Sequence, residues 1–142
     1  MEQRISLITL GVVDLDRAVQ FYEALGWSLA SEVDGIAAFN VHGSAISLYP
    51  WAKIAEDLGI SEDELGTPST YLAHNVRTPE EVAPLLEAAK AAGASIIKPA
   101  QKVFWGGHSG LFRDPDGHMW EVACNPFSPL GPEGEFRWGG GY

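Results

Sequence analysis

Cysteine is nearly absent from this sequence, since Cys124 is the only one in 142 residues. One thiol cannot form an intrachain disulfide, and no Cys/His spacing typical of a zinc site accompanies it. The chain also lacks a run of about 20 apolar residues, the length that crosses a bilayer, and its N-terminus lacks the long apolar core of a signal peptide. These absences predict a cytoplasmic protein with no membrane partner.

Basic residues are scarce as well. The chain has 9 Lys and Arg against 19 Asp and Glu, a formal net charge of −10. Nucleic-acid binders draw their affinity from clustered basic residues, so nucleic acid is excluded as the main partner. The acidity serves solubility, or it steers a cationic ligand. With 46% hydrophobic and 20% charged residues, the composition is that of an ordinary globular protein with a core.

A βαβββ pattern fills the first half of the chain. The apolar run from Ile5 to Val13 predicts a strand, and Asp14 is a good N-cap for the helix that follows. Apolar residues at helical spacing predict that this helix covers Leu15 to Leu25 before Gly26 ends it. Three short strands are predicted next, separated by glycine-containing turns: Trp27–Val33, Ile36–Val41 and Ala45–Tyr49.

The second half begins the same pattern again. A strand is predicted over Tyr71–Val76, and the run from Thr78 to Glu81 forms a capping box with proline at the first helical position. The apolar stripe of the next helix ends at Gly93. Three strands are again predicted, the last of them after a Pro-Asp-Gly turn: Ala94–Lys98, Gly107–Arg113 and His118–Cys124.

The two halves correspond at a constant spacing. Val82 follows Ala18 by 64 residues, as Leu86 follows Tyr22 and Thr78 follows Asp14. The predicted fold is therefore α+β: two tandem βαβββ modules that form a cup-shaped mixed sheet. We expect a single domain over residues 1–142. Its parts are module one at about 4–50, a linker with weak helical character at about 51–68, module two at about 69–126, and an irregular C-terminal arm at about 127–142.

Strand alternation predicts which side chains line the cup. If Ile46 and Leu48 pack beneath the first helix, Ser47 and Tyr49 face inward. By the same rule Glu121 and Ala123 face inward in module two, while His74 lies on the helix side. The inward residues of the first strand of each module are Leu7, Thr9, Gly11, Tyr71, Ala73 and Asn75. The cup is then largely apolar and holds one carboxylate.

Two segments, Leu10–Gly26 and Asp114–Val122, resemble the two signatures of the vicinal oxygen chelate superfamily, which includes glyoxalases, bleomycin resistance proteins and dioxygenases. The resemblance covers about residues 4–126. It implies a homodimer, and four inward metal-ligand positions normally held by His, Glu or Gln. In this sequence those four positions fall on Leu7, Ser47, Tyr71 and Glu121.

Only Glu121 matches that ligand pattern. Leu7 cannot bind a metal, a serine hydroxyl is a poor ligand for a divalent ion, and one carboxylate with one phenol does not make the three or four ligands of a catalytic site. We therefore expect no metal ligands and no cofactor.

Glu121 is the strongest candidate for chemistry. A carboxylate in an apolar cup would act as a general base or acid, with His108 or Tyr71 as its partner. His108 is flanked by glycines at the entrance of a strand, from which it would reach the cavity. The alternative is a structural role, in which Glu121 accepts hydrogen bonds from Tyr71, Ser47 or Arg113. Ser47 and Arg113 are accordingly ligand-binding candidates.

Aromatic residues supply the remaining ligand-binding candidates. Four are predicted near the mouth of the cup, where they would grip a flat or apolar ligand: Phe39, Trp51, Phe104 and Trp105. Tyr49 and Tyr71 would orient an oxygen atom of the ligand. The alternative for these residues is packing in the core or at a dimer interface.

Three functions compete. The main hypothesis is a binding protein that resembles the bleomycin-resistance branch and holds a small organic ligand in the cup without the usual divalent metal. A metal-free isomerase or lyase would use Glu121 as base. A metal-dependent lyase or dioxygenase resembling glyoxalase I would need ligands at other positions.

Overall fold

The computed structural model describes residues 3, 5–65 and 70–141. The predicted start of module one near residue 4, the linker residues 66–68, the start of module two at 69 and the last residue of the arm lie outside these ranges. The chain divides into two compact units, Met1–Ser69 and Thr70–Tyr142, which are described separately below. In the described part of the chain, no helix is long and apolar enough to cross a membrane.

The first unit has the predicted βαβββ order followed by a second helix. Its sheet has the strand order β1-β4-β3-β2, with β1 parallel to β4 and the other pairs antiparallel. The side chain of Asp14 accepts a hydrogen bond from the backbone N–H of Arg17 at 3.0 Å and so caps the first helix. The elements are β1 (Leu7–Val12), α1 (Leu15–Ala24), β2 (Leu29–Val33), β3 (Ile36–Val41), β4 (Ser44–Pro50) and α2 (Trp51–Leu58).

The core of the first unit lies between α1 and one face of the sheet, called here its helix face. Ile46 and Leu48 are buried, as alternation requires, and their strand β4 packs against α1, in which Phe21 and Tyr22 are also buried. Phe39 is only 1% exposed, and its ring contacts those of Tyr22 and Trp27 at centroid distances of 6.0 and 5.6 Å. Aromatic packing of this kind contributes stability beyond the buried area.

The second unit repeats the arrangement, with the strand order β5-β8-β7-β6 and a parallel pair formed by β5 and β8. The capping box at Thr78 is confirmed, and it opens a 3₁₀ turn that leads into α3. Trp120 and Val122 are buried on the helix face, with Phe112 stacked on Trp120. The elements are β5 (Leu72–Asn75), α3 (Val82–Ala91), β6 (Ser95–Lys102), β7 (His108–Arg113) and β8 (Met119–Cys124).

Strand β6 runs beyond its predicted end at Lys98. Proline cannot donate to a ladder, so Pro99 suggests that the strand ends there. Instead the register shifts between Lys98 and Gln101, and the strand continues to Lys102. Gly110 on β7 faces this irregularity, where a Cβ would lie 2.9 Å from the carbonyl oxygen of Lys98. A bulge opposite a glycine thus keeps the strand paired.

The C-terminal arm is irregular, as predicted: its described residues, 126–141, contain no helix or strand. The arm is held against the second unit by Arg77, whose guanidinium donates to the carbonyl oxygens of Gly131 and Pro132 at 2.9 and 3.0 Å. Buried Ser128 accepts from the N–H of Gly139 at 2.9 Å within the arm.

Candidate functional site

Each sheet has a second face, away from α1 or α3, where the inward candidates lie; it is called here the opposite face. In the first unit this face consists of Leu7, Thr9 and Gly11 on β1 with Ser47 and Tyr49 on β4. Thr9 and Ser47 are paired in register. The hydroxyl of Ser47, which is 3% exposed, donates to the hydroxyl oxygen of Thr9 at 2.9 Å. The hydroxyl of Ser47 is therefore already used within the protein.

Helix α2 covers one end of this opposite face. A Cβ at Gly11 would lie 3.1 Å from the ring of Trp51 and 3.3 Å from Ile54, so the missing side chain gives α2 its place on β1. The Tyr49 hydroxyl donates to the carboxylate of Asp57 on α2 at 2.9 Å, which raises the pKa of the phenol. Tyr49 lies on the face predicted for it, and Trp51, which was predicted near the mouth of the cup, packs on Gly11 of the same face. The start of the linker, which was expected to be weakly helical, forms α2.

The opposite face of the second unit is built on the parallel pair β5 and β8. Glu121 lies between Ala73 on β5 and Leu111 on β7, its register partners. Its side chain is half-buried, and within residues 70–141 it makes no hydrogen bond or ion pair. Arg113 donates instead to the carbonyl oxygen of Gly117 at 3.5 Å, and Tyr71 is 56% exposed. Neither Arg113 nor Tyr71 therefore donates to Glu121, as the alternative of a structural role for Glu121 had predicted.

Asn75 is a residue that the sequence placed on this face but not in the site. It pairs with Ala123, two positions beyond the Ala73–Glu121 pair. Its amide is half-buried and, like the carboxylate of Glu121, has no hydrogen-bonding partner among the described residues. Sequence alone could not have singled out Asn75, because only the structure shows that its amide is unpaired.

His108 does not lie where it was predicted. It is paired with Cys124 and shares a face with Gly110, whose Cβ would meet Leu86 of α3. That is the helix face, so His108 does not reach the opposite face where Glu121 lies. Hydrogen bonds from the Glu80 backbone and from Thr78 lower the pKa of Glu80, which lies before α3, and the nearby His108 lowers it further.

Phe39 is also placed differently from its prediction. Its ring is enclosed by Tyr22 and Trp27 on the helix face, so it is a core residue and not a ligand contact. Phe104 and Trp105 occupy the turn between β6 and β7, where Phe104 is 100% exposed and the ring of Trp105 occupies the space above Gly107. Their role in ligand binding stays a prediction.

Cys124 is buried beside the carbonyl oxygen of Arg77, 3.6 Å from its sulfur. Burial raises the pKa of the thiol, and the carboxylates of Glu81 and Glu80 raise it further. A thiol that stays protonated is a poor nucleophile.

The donor set at the family's metal positions does not fit a divalent ion. In the first unit Leu7 has no donor atom and the Ser47 hydroxyl is bonded to Thr9. In the second unit a phenol and one carboxylate remain. Among the residues that the structure describes, no group of three or more His, Cys, Asp or Glu side chains could hold a metal ion.

Comparison with known proteins agrees with this architecture. The model of the Glyoxalase/Bleomycin resistance protein/Dioxygenase superfamily matches residues 4–122. The chain therefore belongs to that superfamily, as its two sequence signatures indicated. The match establishes the fold of two βαβββ modules, which in this superfamily serves several activities.

Solved structures support the same assignment. A glyoxalase-related enzyme from Fulvimarina pelagi is 37% identical over 96% of this chain and 98% of its own, with a TM-score of 0.88. A glyoxalase/bleomycin resistance protein/dioxygenase from Nocardioides is 27% identical over 87% of this chain and 84% of its own, with a TM-score of 0.72. A fosfomycin resistance protein from Listeria monocytogenes, 24% identical over 88% of this chain and 95% of its own, shares the fold with a TM-score of 0.67.

Proposed function

We propose that this protein binds a small organic ligand that presents a cation or a strong hydrogen-bond donor to Glu121, without a divalent metal. The observation that carries the proposal is the state of Glu121. It is half-buried among Ala73, Leu111 and Ala123 on the opposite face of the second sheet, with no partner within the described residues. A carboxylate in apolar surroundings gains most from a charged or donating ligand.

The net charge of −10 supports the same ligand class. An acidic surface raises the local concentration of cations and speeds their association.

Benzylammonium is a suitable first probe, because it combines a cation with one aromatic ring. We expect it to perturb the amide resonances of Ala73, Leu111 and Glu121 in a titration followed by NMR. Glu121→Gln should weaken binding about tenfold, the loss of one charge-assisted hydrogen bond of about 1.5 kcal/mol. Glu87→Gln is the matched control, since it removes the same charge from an exposed position on α3. Equal affinity in the Glu121→Gln variant and the wild type would contradict the proposal.

Elemental analysis tests the metal-dependent alternative. Protein purified after growth with added Mn²⁺, Ni²⁺ and Zn²⁺ should contain well below one metal ion per chain, because the donor set lacks the ligands that such ions prefer. Stoichiometric metal that is lost in the Glu121→Gln variant would favour a metal-dependent lyase or dioxygenase instead.

A metal-free lyase or isomerase is the second candidate, favoured by the absence of any described residue that competes for the lone pairs of Glu121. Because His108 lies on the helix face, Tyr71 is the remaining acid. Such an enzyme should lose turnover in both Glu121→Gln and Tyr71→Phe, whereas a binding protein should turn over no compound that it binds.

A homodimer is also proposed, as the family resemblance implies. Large aromatic side chains of the second unit are exposed, and exposed apolar surface commonly marks an interface: Phe104, Phe127, Phe136 and Trp138. Sedimentation equilibrium should give twice the mass of the chain, and Phe127→Ser with Trp138→Ser should reduce it. A monomer at high protein concentration would contradict this.

A further inference from the structure

We infer that Asn75 is a specificity-determining residue that, with Glu121, selects a planar cation carrying parallel N–H donors, such as an amidinium or guanidinium group. The inference rests on the proposed function, since it names the ligand class of that same face. It starts from a coincidence: two half-buried polar side chains on one face of adjacent strands both lack a partner among the described residues.

The register fixes their relation. Glu121 is opposite Ala73 and Asn75 is opposite Ala123, so the two residues are diagonal neighbours on the parallel pair β5 and β8. With strands about 4.8 Å apart and a rise of about 3.3 Å per residue, their Cα atoms are about 8 Å apart. Two side chains of this length, at such a distance on one face, leave room for a small planar group between them.

The residues next to the polar pair are small. Ala73 and Ala123 complete the quartet of positions around the two polar groups, and a methyl side chain is the largest that either contributes. Leu111 borders Glu121 on its other side. The polar pair is therefore bordered by apolar side chains on a partly exposed face, where a ligand group that matches both polar side chains can replace water.

The chemistry of the pair selects the ligand. Glu121 offers only acceptors when ionised, and Asn75 adds an amide oxygen that accepts as well. Two acceptors side by side match two N–H groups that point in fixed directions, as in a planar amidinium. An ammonium is a compact charge whose donors do not lie in one plane, so it gains from Glu121 but has less to gain from Asn75.

Two arginines near this position are bonded elsewhere within residues 70–141. Arg113, the cation on the same face of β7, directs its guanidinium to the carbonyl oxygen of Gly117. Arg77, which follows β5 closely, is bonded to the arm at Gly131 and Pro132.

Two probes of similar size test the inference: benzamidinium, which is planar, and benzylammonium, which is not. Wild-type protein should bind benzamidinium more tightly. Asn75→Leu, which keeps the volume but removes the amide, should weaken benzamidinium binding about tenfold and leave benzylammonium binding within a factor of two. Asn75→Asp retains the acceptor and should bind benzamidinium at least as well as wild type. Circular dichroism of each variant checks that the fold is kept.

The outcomes separate the inference from the proposed function. If benzylammonium binding depends on Glu121 while Asn75→Leu leaves benzamidinium binding unchanged, the inference is wrong and the proposed function stands. An equal loss for both probes in Asn75→Leu also overturns it, because that loss reports a general disturbance of the face. If neither probe binds, or Glu121→Gln changes neither, the proposed function fails and the inference fails with it.

Discussion

The two units of this chain are alike on their helix faces and different on their opposite faces. Residues that correspond at a spacing of 64 are buried in both units, as Ala18 and Val82, or Tyr22 and Leu86, show. On its opposite face the first unit pairs the hydroxyls of Thr9 and Ser47 with each other and is covered in part by α2. On that of the second unit, Glu121 and Asn75 have no partner among the residues that the structure describes. Duplication preserved the framework, and the faces where ligands are proposed to bind diverged.

The difference between helix faces and opposite faces predicts its largest effect, a loss of stability, at Phe39. Because its ring is enclosed between Tyr22 and Trp27, Phe39→Ala should lower the free energy of unfolding by about 3–5 kcal/mol. Phe104→Ala is the matched control, since Phe104 is fully exposed and its loss should change stability by less than about 0.5 kcal/mol. Urea denaturation followed by circular dichroism measures both. A small effect at Phe39 would restore it to the ligand-contact set.

The next largest effects are expected at two glycines, one on a helix face and one on an opposite face, whose replacement by alanine should destabilise the protein to different extents. A Cβ at Gly110 would lie 2.4 Å from Leu86 and 2.9 Å from the carbonyl oxygen of Lys98, a backbone atom that cannot move alone. Gly110→Ala should therefore destabilise the protein by about 1–3 kcal/mol. Gly11→Ala would meet only side-chain atoms of Trp51 and Ile54, at 3.1–3.3 Å, and should cost less while shifting the indole N–H resonance of Trp51. Equal destabilisation by both substitutions would contradict this distinction.

Removal of either helix cap should cost a similar amount of stability. The side chain of Asp14 accepts from the N–H of Arg17. In the capping box the side chain of Thr78 accepts from the backbone N–H of Glu81, and the carboxylate of Glu81 accepts from the N–H of Thr78 at 3.2 Å. Asp14→Ala and Thr78→Ala should each cost about 1 kcal/mol in thermal unfolding, because each removes a cap. A cost at only one of them would show that the duplicated caps no longer have duplicated roles.

The sequence predicted the helix faces well because they depend on local periodicity. Helix α1 and strand β3 begin where expected, and alternation correctly separated Ile46 and Leu48 from Ser47. Phe39 was misassigned because Ala37 and Ala38 make both faces of β3 apolar, so the pattern does not show which side is buried. The face of β7 on which His108 lies could not be predicted for a related reason. The next position on that face is Gly110, which has no side chain to show whether the face is buried.

The candidate site was less predictable, because it depends on partners and not on pattern. The sequence identified Glu121 from its position, but only the structure shows that Arg113 is directed to Gly117. The packing of Trp51 on Gly11 likewise joins an element outside the repeat to a strand within it. Pairing of this kind arises from tertiary structure, which periodicity does not encode.

The smallest expected effect is on the pH dependence of stability, at a position where the helix faces of the two units differ. His74 stands 64 residues after Leu10, which is 7% exposed, and each lies on the helix face of its parallel strand pair. His74 remains more exposed, yet the protein around its ring removes enough water to lower the pKa of the imidazole, and the carboxylate of Glu81 opposes this only in part. The folded protein therefore resists protonation of His74.

The sign of the resulting pH dependence follows from linkage. Between the lowered pKa and the ordinary value of about 6.5, the unfolded chain binds more protons at His74 than the folded one, so stability rises with pH and falls on acidification below about 6.5. His74→Leu, which copies the residue of the first unit, should flatten the loss of stability between pH 7 and pH 5 in urea denaturation. His42→Gln, at an exposed turn of the first unit, is the control. An unchanged slope in His74→Leu would mean that other groups carry the acid sensitivity.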